Sequence, residues 1–458
     1  MFKIPEITGL DSRVGFIRIP PELDVPLTGR VRRLLDTESF RRLARISQVG
    51  FVSLVYPAAC HSRFEHSLGV YRLALLFIRR LEHLSGFKDL VTQRDAELLI
   101  VSALLHDIGH WSFCHLVEDL SLDRVECHEL LASRYLFSGE VAEILRSDWG
   151  IEPDEILRLL NKQSTNKSCV DVNNKTSGGC LDEESQRVSR KFLSDILSGP
   201  IDIDKMDYLY RDSLHAGVPY GRNLDYERLI GSLCVNESGD GLAITEKGKT
   251  AAELMIFARY VMFSEVYWHH AVRAASAMFQ RLFCWLLENG RIELEKLYGL
   301  TESEFIHSIR AASLGVDSEI LSEGLFGSRR MLYKRVAQFG IMEQPEIYRK
   351  LAGKPYRYLC DISNRISEMI LGSKRLKQLP VLIDAPPVER EIEIKIDVFF
   401  SKEKRYQPLE EISPVVRAMA KEQFDDYAKR VRIFAHPEVV PILRKDETII
   451  KILEKDVF

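Results

Sequence analysis

The chain has 458 residues, 46% of them hydrophobic and 28% charged, with a formal net charge of −4. That composition excludes general disorder and a membrane-embedded body, and the near-neutral charge excludes a molecule-wide basic field for duplex nucleic acid. The length exceeds a usual single domain, which predicts one large domain with smaller pieces attached.

The N-terminus, MFKIPEITGLDSR, lacks a secretory apolar core, and no stretch has the roughly 18 unbroken apolar residues of a membrane span. A cytoplasmic setting is therefore expected, with the eight cysteines, none in a CxxC pair, as free thiols. Residues 34–46 read as one amphipathic helix capped by Asp36-Thr37. Pro57 and the polar run at 59–63 break the chain before a second helix. There Val70, Leu73, Ala74, Phe77, Leu81 and Leu84 fall on one stripe at about 100° per residue, and His66 extrapolates onto it. Residues 98–105, LLIVSALL, form an uncharged helical run that leads straight into His106-Asp107, and Gly109 weakens this helix.

Residues 163–190 are polar and rich in Gly, Ser and Asn, which predicts a mobile loop before helical texture returns at 189–212. A small hairpin is expected at 230–245, one long helix at 251–289, and helices with exposed basic clusters over 300–377. Residues 380–387 read as a linker. Period-2 alternation at 392–398 predicts a strand, and the tail adds another strand from Val431 and a short helix at 447–454. The expected fold is mainly α: a helical domain over 1–290, a helical extension over 291–380 and a small α+β region over 381–458.

The chemistry gathers in the first half. His66, His106, Asp107 and Asp204 are a hard-to-borderline divalent metal set. A carboxylate and an imidazole attached to so apolar a segment lose water at a cost of several kcal/mol unless something pairs with them. Ligands drawn from separate helices leave positions open for water and substrate. His110, four residues after His106 on the same helical face, His115 in the next turn and His128 on a further helix suit proton delivery. Arg63, Lys205 and Tyr208 suit phosphate oxygens.

The elements HSRFEH (61–66), LLHDIGH (105–110) and IDIDKMDYLYRD (201–212) resemble the HD-domain metallophosphohydrolases, with the closest likeness to deoxynucleoside triphosphate triphosphohydrolases of the SAM-and-HD-domain type. The resemblance implies an HD-domain helical bundle over 1–290 that hydrolyses a deoxynucleoside triphosphate to deoxynucleoside and triphosphate. It implies a divalent ion (manganese, magnesium, iron, nickel, cobalt or zinc) on His66, His106, Asp107 and Asp204. It further implies His115 and His128 as catalytic histidines, His115 the proton donor oriented by Glu118, with His110 lining the same pocket. Arg63, Lys205, Tyr208 and Arg259 would hold the triphosphate, and Gln48, Asp212 and Tyr267 would read the sugar, Tyr267 packing where a ribose 2′-hydroxyl would go. An effector nucleotide at subunit contacts of a dimer or tetramer would engage Asp36, Arg228, Lys247, Arg330 and Lys334, the last two as helical (i, i+4) neighbours. Ala44 and Arg41 depart from the guanine-reading residues of some members. Two other readings keep the site: a phosphatase or phosphodiesterase on other nucleotides or nucleic acid ends, and a non-catalytic nucleotide-sensing or nucleic-acid-binding module. HDIGH in place of HDIGK, and no GYP, count against the cyclic-dinucleotide branch.

Overall fold

The computed structural model describes residues 2–12, 15–84, 86–122, 124–161, 180–371, 379–386, 395–420, 428–443, 449–450 and 453. Helices dominate. Those that position the site are α1 (Gly29–Asp36), α2 (Glu38–Leu43), α3 (Arg63–Leu81), α4 (Gln93–Leu105), α5 (Cys114–Glu118), α6 (His128–Leu131), α7 (Cys180–Ser198), α8 (Ile203–Ala216), α9 (Lys249–Val261) and α10 (His270–Glu288). Helix α3 lies at the centre, packed on α4 and α8. Its predicted stripe is the buried face: Val70, Ala74, Phe77 and Leu81 are all inaccessible to solvent. Burying such side chains gives roughly 1.5–3 kcal/mol each, which fixes the rotation of α3 and turns His66 inward. Helix α4 starts at a capping box, the Thr92 hydroxyl and the Asp95 carboxylate each meeting the other's backbone N–H.

Strands β1 (Phe16–Ile19) and β2 (Leu23–Pro26) form a hairpin. The expected hairpin at 230–245 is present as β3 (Leu233–Val235) and β4 (Leu242–Thr245). A second sheet, in the order β5-β9-β6, joins β5 (Lys334–Phe339), β6 (Val381–Asp384) and β9 (Val431–Ala435), all antiparallel. Strand β4 pairs in parallel with β7 (Asp397–Phe400), which pairs with β8 (Arg405–Pro408). One large core runs through the helices, and a smaller one, built around Phe339, Ile366, Ile383 and Ile433, backs the β5-β9-β6 sheet.

Five expectations change. The 34–46 helix is two helices, because Thr37 sits in extended backbone and its hydroxyl caps α2 by accepting the Phe40 N–H. The polar 163–190 segment is helical from Cys180 onward, as the start of α7, and the remainder lies outside the described residues. The 251–289 helix is interrupted by a π-turn at Met262–Tyr267. Residues 381–384 are no linker: β6 is fully buried between β9 and α10, and its Asp384 carboxylate takes a two-pronged ion pair from Arg273. Residues 334–339, expected helical, form β5, where Phe339 packs into the smaller core. The expected strand at 392–398 is confirmed only at its end, since 391–394 lie outside the described residues, as does most of 447–454. No helix among the described residues is long and apolar enough to cross a membrane.

Candidate metal centre and active site

Ser62 caps α3 by accepting the Glu65 N–H at 3.4 Å, which sets Arg63 and His66 in the first two turns. The buried His66 ring donates Nδ1–H to Asp207 Oδ2 at 2.8 Å across to α8. Asp207 in turn is held by Arg211 through Nε at 2.8 Å and Nη2 at 2.7 Å, and Arg211 Nη1 reaches Glu65 at 2.7 Å. The helices approach this closely because residue 69 is glycine: a Cβ there would lie 1.8 Å from Asp207 Oδ1 and 2.4 Å from Arg211 Nη2. Sequence reasoning did not single out Asp207. Its signal was present, three residues after Asp204 and four before Arg211 on one helix face.

The His106-Asp107 pair is not inside α4. That helix ends at Leu105, His106 is its C-cap, and the chain turns through 107–110. A buried helix end leaves carbonyls without partners. Beyond that end, the buried Arg42 of α2 donates to two carbonyls of the following turn, from Nη2 to Ile108 O and from Nη1 to His110 O, both at 2.7 Å. Gly109 therefore does more than weaken a helix: a Cβ there would sit 2.1 Å from His128 O and 2.5 Å from Ala132 N, so only glycine lets this turn touch α6.

His106 Nδ1 lies 2.9 Å from the Ala103 carbonyl, which can only accept, so that nitrogen carries the proton. Asp207 fixes His66 in the same tautomer. Both bare Nε2 atoms then face each other at 3.2 Å. Asp204 Oδ1 stands 3.1 Å from His66 Nε2 and 3.8 Å from His106 Nε2, and Asp107 Oδ1 stands 3.3 Å from His106 Nε2. Lone pairs brought this close repel unless a cation lies among them. Two nitrogens bound at roughly 2.0–2.1 Å with near-tetrahedral or right-angle geometry lie about 3 Å apart, so the donor set fits a divalent ion. The carboxylates favour positive charge here, whether on a bound ion or on the His66 ring itself. Burial alone would depress the His66 imidazolium, yet Asp204, Asp207 and Asp107 together push it up to about 10. Burial would raise the Asp107 carboxyl, and the Arg63 guanidinium at 2.8 Å, with the His106 and His66 rings, outweighs that and holds it well below the usual range. Asp204 is the outward member, its side chain 34% exposed. His66, His106 and Asp107 thus group within 4.8 Å of one another, with Asp204 standing against both imidazoles.

The second group sits alongside. Phe113 takes a left-handed φ of 60°, held in a stack with Phe51 at 4.7 Å, and turns the chain so that α5 begins at Cys114. Glu118 accepts from His128 Nδ1 at 3.0 Å and lies 3.3 Å from His115 Nδ1. These imidazoles outweigh the burial that would raise the Glu118 carboxyl and hold it far below its ordinary value. His128 is pushed up by Glu118 against the opposing effect of burial. His110 meets His115 Nε2 to Nε2 at 3.2 Å and packs against the His128 ring at 3.8 Å between centroids. The association of His110 with His115 comes from the 107–113 turn, not from helical spacing, because no helix continues past Leu105. Burial and the Arg63 charge hold His110 well below the usual imidazole range, so it stays neutral.

A cavity of about 450 Å³ opens beside the second group, lined in part by Gln48, Arg63, Cys114, His115, Tyr208, Asp212 and Tyr267. Gln48 Oε1 is buried without a hydrogen-bond donor among the described residues. Arg63 is engaged through Nη1 with Asp107 Oδ2 at 2.8 Å, next to the expected ligands. Lys205 Nζ pairs with the buried Asp202 and donates to Gly199 O at 3.1 Å, with the Arg259 charge close enough to act on it and on Tyr208. The Tyr267 hydroxyl donates to Asp212 Oδ2, and His61 Nε2 meets Asp212 Oδ1 at 2.9 Å. His61, the first residue of HSRFEH, was overlooked as a support for Asp212. A larger cavity of about 700 Å³ lies behind His66 and shares Asp207 and Arg211; neither cavity is lined by His66, His106, Asp107 or Asp204, and the smaller one reaches them through Arg63, which pairs with Asp107.

An HD-domain model matches residues 63–168, and an HD-associated region matches 224–454, half of the chain. The chain belongs to the HD-domain phosphohydrolases. This HD-domain chain is 26% identical over 438 residues to an uncharacterized protein of Methanocaldococcus jannaschii, covering 94% of the chain and 82% of that relative. It is 29% identical over 374 residues to the deoxynucleoside triphosphate triphosphohydrolase SAMHD1 of Gallus gallus, covering 72% of the chain but 57% of that relative. A solved structure of a hypothetical protein from Aquifex aeolicus superposes with a TM-score of 0.67 at 26% identity, covering 94% of this chain and 98% of that one.

The expected effector residues of the HD-domain chain fall in several places. Arg228 and Lys247 are adjacent, Arg228 Nε donating to Lys247 O at 2.9 Å. Asp36 ends α1. Arg330 lies outside any helix and donates to Leu54 O at 2.5 Å, while Lys334 begins β5. The helical Arg330–Lys334 clamp is therefore corrected: the chain is already extended there to pair with β9. Arg41 lies over the Phe64 ring at 5.2 Å.

Proposed function

We propose that this HD-domain phosphohydrolase hydrolyses deoxynucleoside triphosphates to deoxynucleoside and triphosphate. The observation that carries the reading is the convergence of the bare His66 and His106 nitrogens with Asp107 and Asp204, beside a cavity lined by Arg63, Tyr208 and a Tyr267–Asp212 pair. His66, His106, Asp107 and Asp204 would hold a divalent cation, which would supply the charge to polarise a phosphate oxygen and acidify water. Arg63, Lys205 and Arg259 place positive charge around the phosphates, where the transition state spreads its negative charge. His115, oriented by Glu118, delivers the proton to the departing 5′-oxygen while His110 stays neutral beside it. Gln48 and Asp212 take the sugar hydroxyl, and Tyr267 fills the space a 2′-hydroxyl needs. The likeness to a triphosphohydrolase supports the substrate class. A dimer or tetramer with an effector nucleotide near Arg228 and Lys247, in a cytoplasmic setting, belongs to the same reading.

The test is a product assay on the common ribo- and deoxyribonucleoside triphosphates with Mn²⁺ or Mg²⁺, with and without a chelator. Triphosphate released from the deoxy substrates only, and abolished by chelation, is expected. Orthophosphate or nucleoside monophosphate as the sole product would replace this reading with a phosphatase or diesterase.

A further inference from the structure

Four side chains next to the HD centre form a second donor set of different character: His110, Cys114, His115 and His128, each with a ligating atom within 4.8 Å of all the others. In two of the three imidazoles, His115 and His128, Nδ1 faces the Glu118 carboxylate. Glu118 lies 3.0 Å from Nδ1 of His128 and 3.3 Å from Nδ1 of His115, whereas Nδ1 of His110 is buried without a hydrogen bond among the described residues, 3.1 Å from Asp107 Oδ1. An imidazole backed by a carboxylate at one nitrogen presents the other as a stronger, oriented ligand, the arrangement that supports zinc-bound histidines. Nε2 of His110 and Nε2 of His115 face each other at 3.2 Å, the edge length of a tetrahedral site, just as the His66 and His106 nitrogens do. The fourth donor is a sulfur. Cys114 is buried, and the left-handed Phe113 before it, wedged between Phe51 and Phe279, sets the turn that brings the thiol and His115 to the same place.

We propose that His110, Cys114, His115 and His128 form a second metal site, selective for a soft or borderline cation such as Zn²⁺, and that filling it inhibits the enzyme. Two imidazoles with two carboxylates accept hard ions, whereas three imidazoles with a thiolate favour zinc or cobalt over magnesium and manganese. Binding forms the metal–sulfur bond and sends the Cys114 thiol proton to solvent, with no change of oxidation state. The inhibitory consequence rests on the triphosphohydrolase reading: Nε2 of His115, which that reading uses to protonate the leaving oxygen, becomes a ligand and has no proton to give. A chain working with a hard ion at the HD centre would thus be switched off by a soft one at the neighbouring set.

The experiment titrates the full-length, metal-stripped protein with Co²⁺ and follows its absorption. The expected result is two cobalt ions per chain, with a sulfur-to-cobalt charge-transfer band that Cys114→Ser abolishes while leaving one ion bound. A single ion per chain, two ions without the band, or a band that survives in Cys114→Ser overturns the second site. In parallel, Zn²⁺ added to the Mn²⁺-loaded enzyme is expected to lower turnover at least tenfold in the wild type and far less in Cys114→Ser. Equal inhibition of both overturns the inhibitory role. The absorption readout needs no turnover, so failure of the triphosphohydrolase reading leaves the decision on the site intact.

Discussion

His66 and Asp207 are joined across α3 and α8 by a 2.8 Å hydrogen bond that decides which imidazole nitrogen is free. With Nδ1 committed to the carboxylate, only Nε2 can serve as a ligand, and Arg211 keeps the carboxylate charged and fixed. Asp207→Asn keeps the shape and removes the charge. Loss of such an outer partner weakens metal affinity by about 10–100-fold. Calorimetric titration of the stripped variant with Mn²⁺ checks this, and an unchanged affinity would show that His66 needs no such partner.

Glu118 supports the imidazolium at His128 by hydrogen bond and charge, which lifts its titration above the ordinary histidine value. The protonated form therefore persists to higher pH than burial alone would allow. Glu118→Gln removes both that lift and the carboxylate facing His115, the proposed donor, so the alkaline limb of the pH–rate profile is expected to move to lower pH. Turnover on the alkaline side should fall about 10²-fold, the usual size of a lost proton-transfer contribution. The profile of kcat against pH is the measurement, and a limb that stays in place would remove the His115–Glu118–His128 group from proton delivery.

Much of this centre could be read from the chain because its signals are local. The apolar run at 98–105 and the stripe on α3 dictate burial, and buried His66, His106 and Asp107 need a partner. The three ordered motifs then supply Asp204. What could not be read depends on contacts between distant segments. Arg42 looks like any basic residue of an amphipathic helix, and its two bonds to carbonyls at 108 and 110 exist only once α2 packs there. The break before His270 carries no Pro or Gly, so periodicity ran through it. The prolines at 380 and 386–387 that bound β6 carry the signature of a linker, although Val381, Leu382 and Ile383 are buried.

Gly109 offers a separation of the two groups. Adding a Cβ drives it into the His128 carbonyl and the Ala132 amide, and backbone cannot rotate away as a side chain can. Gly109→Ala is expected to displace α6 while α3 and α8 keep His66, Asp207 and Asp204 in place. Displacing a reacting group by an ångström costs about 10²-fold in rate. The expected outcome is kcat reduced to that extent with the metal content retained, measured by steady-state kinetics and elemental analysis. Overpacking of this kind also costs about 1–3 kcal/mol of stability. Loss of metal and activity together would mean that the 107–110 turn, not α6, gives way.

Tyr267 joins the irregular backbone to selectivity. The π-turn at Met262–Tyr267 inserts a wide turn between α9 and α10, and turns of this type recur at functional sites. It delivers the Tyr267 ring to the cavity with its hydroxyl on Asp212. If the ring excludes a 2′-hydroxyl, Tyr267→Ala should admit ribonucleotides, and the ratio of kcat/KM for deoxy over ribo substrates should fall about 10-fold or more, in keeping with roughly 1–3 kcal/mol for a steric contact. Tyr267→Phe keeps the ring and frees Asp212, so it should raise KM for both classes and leave their ratio unchanged. Competition assays with paired ribo- and deoxyribonucleoside triphosphates distinguish these outcomes. A ratio that falls in Tyr267→Phe as much as in Tyr267→Ala would assign discrimination to Asp212 and its hydrogen bond in place of the ring.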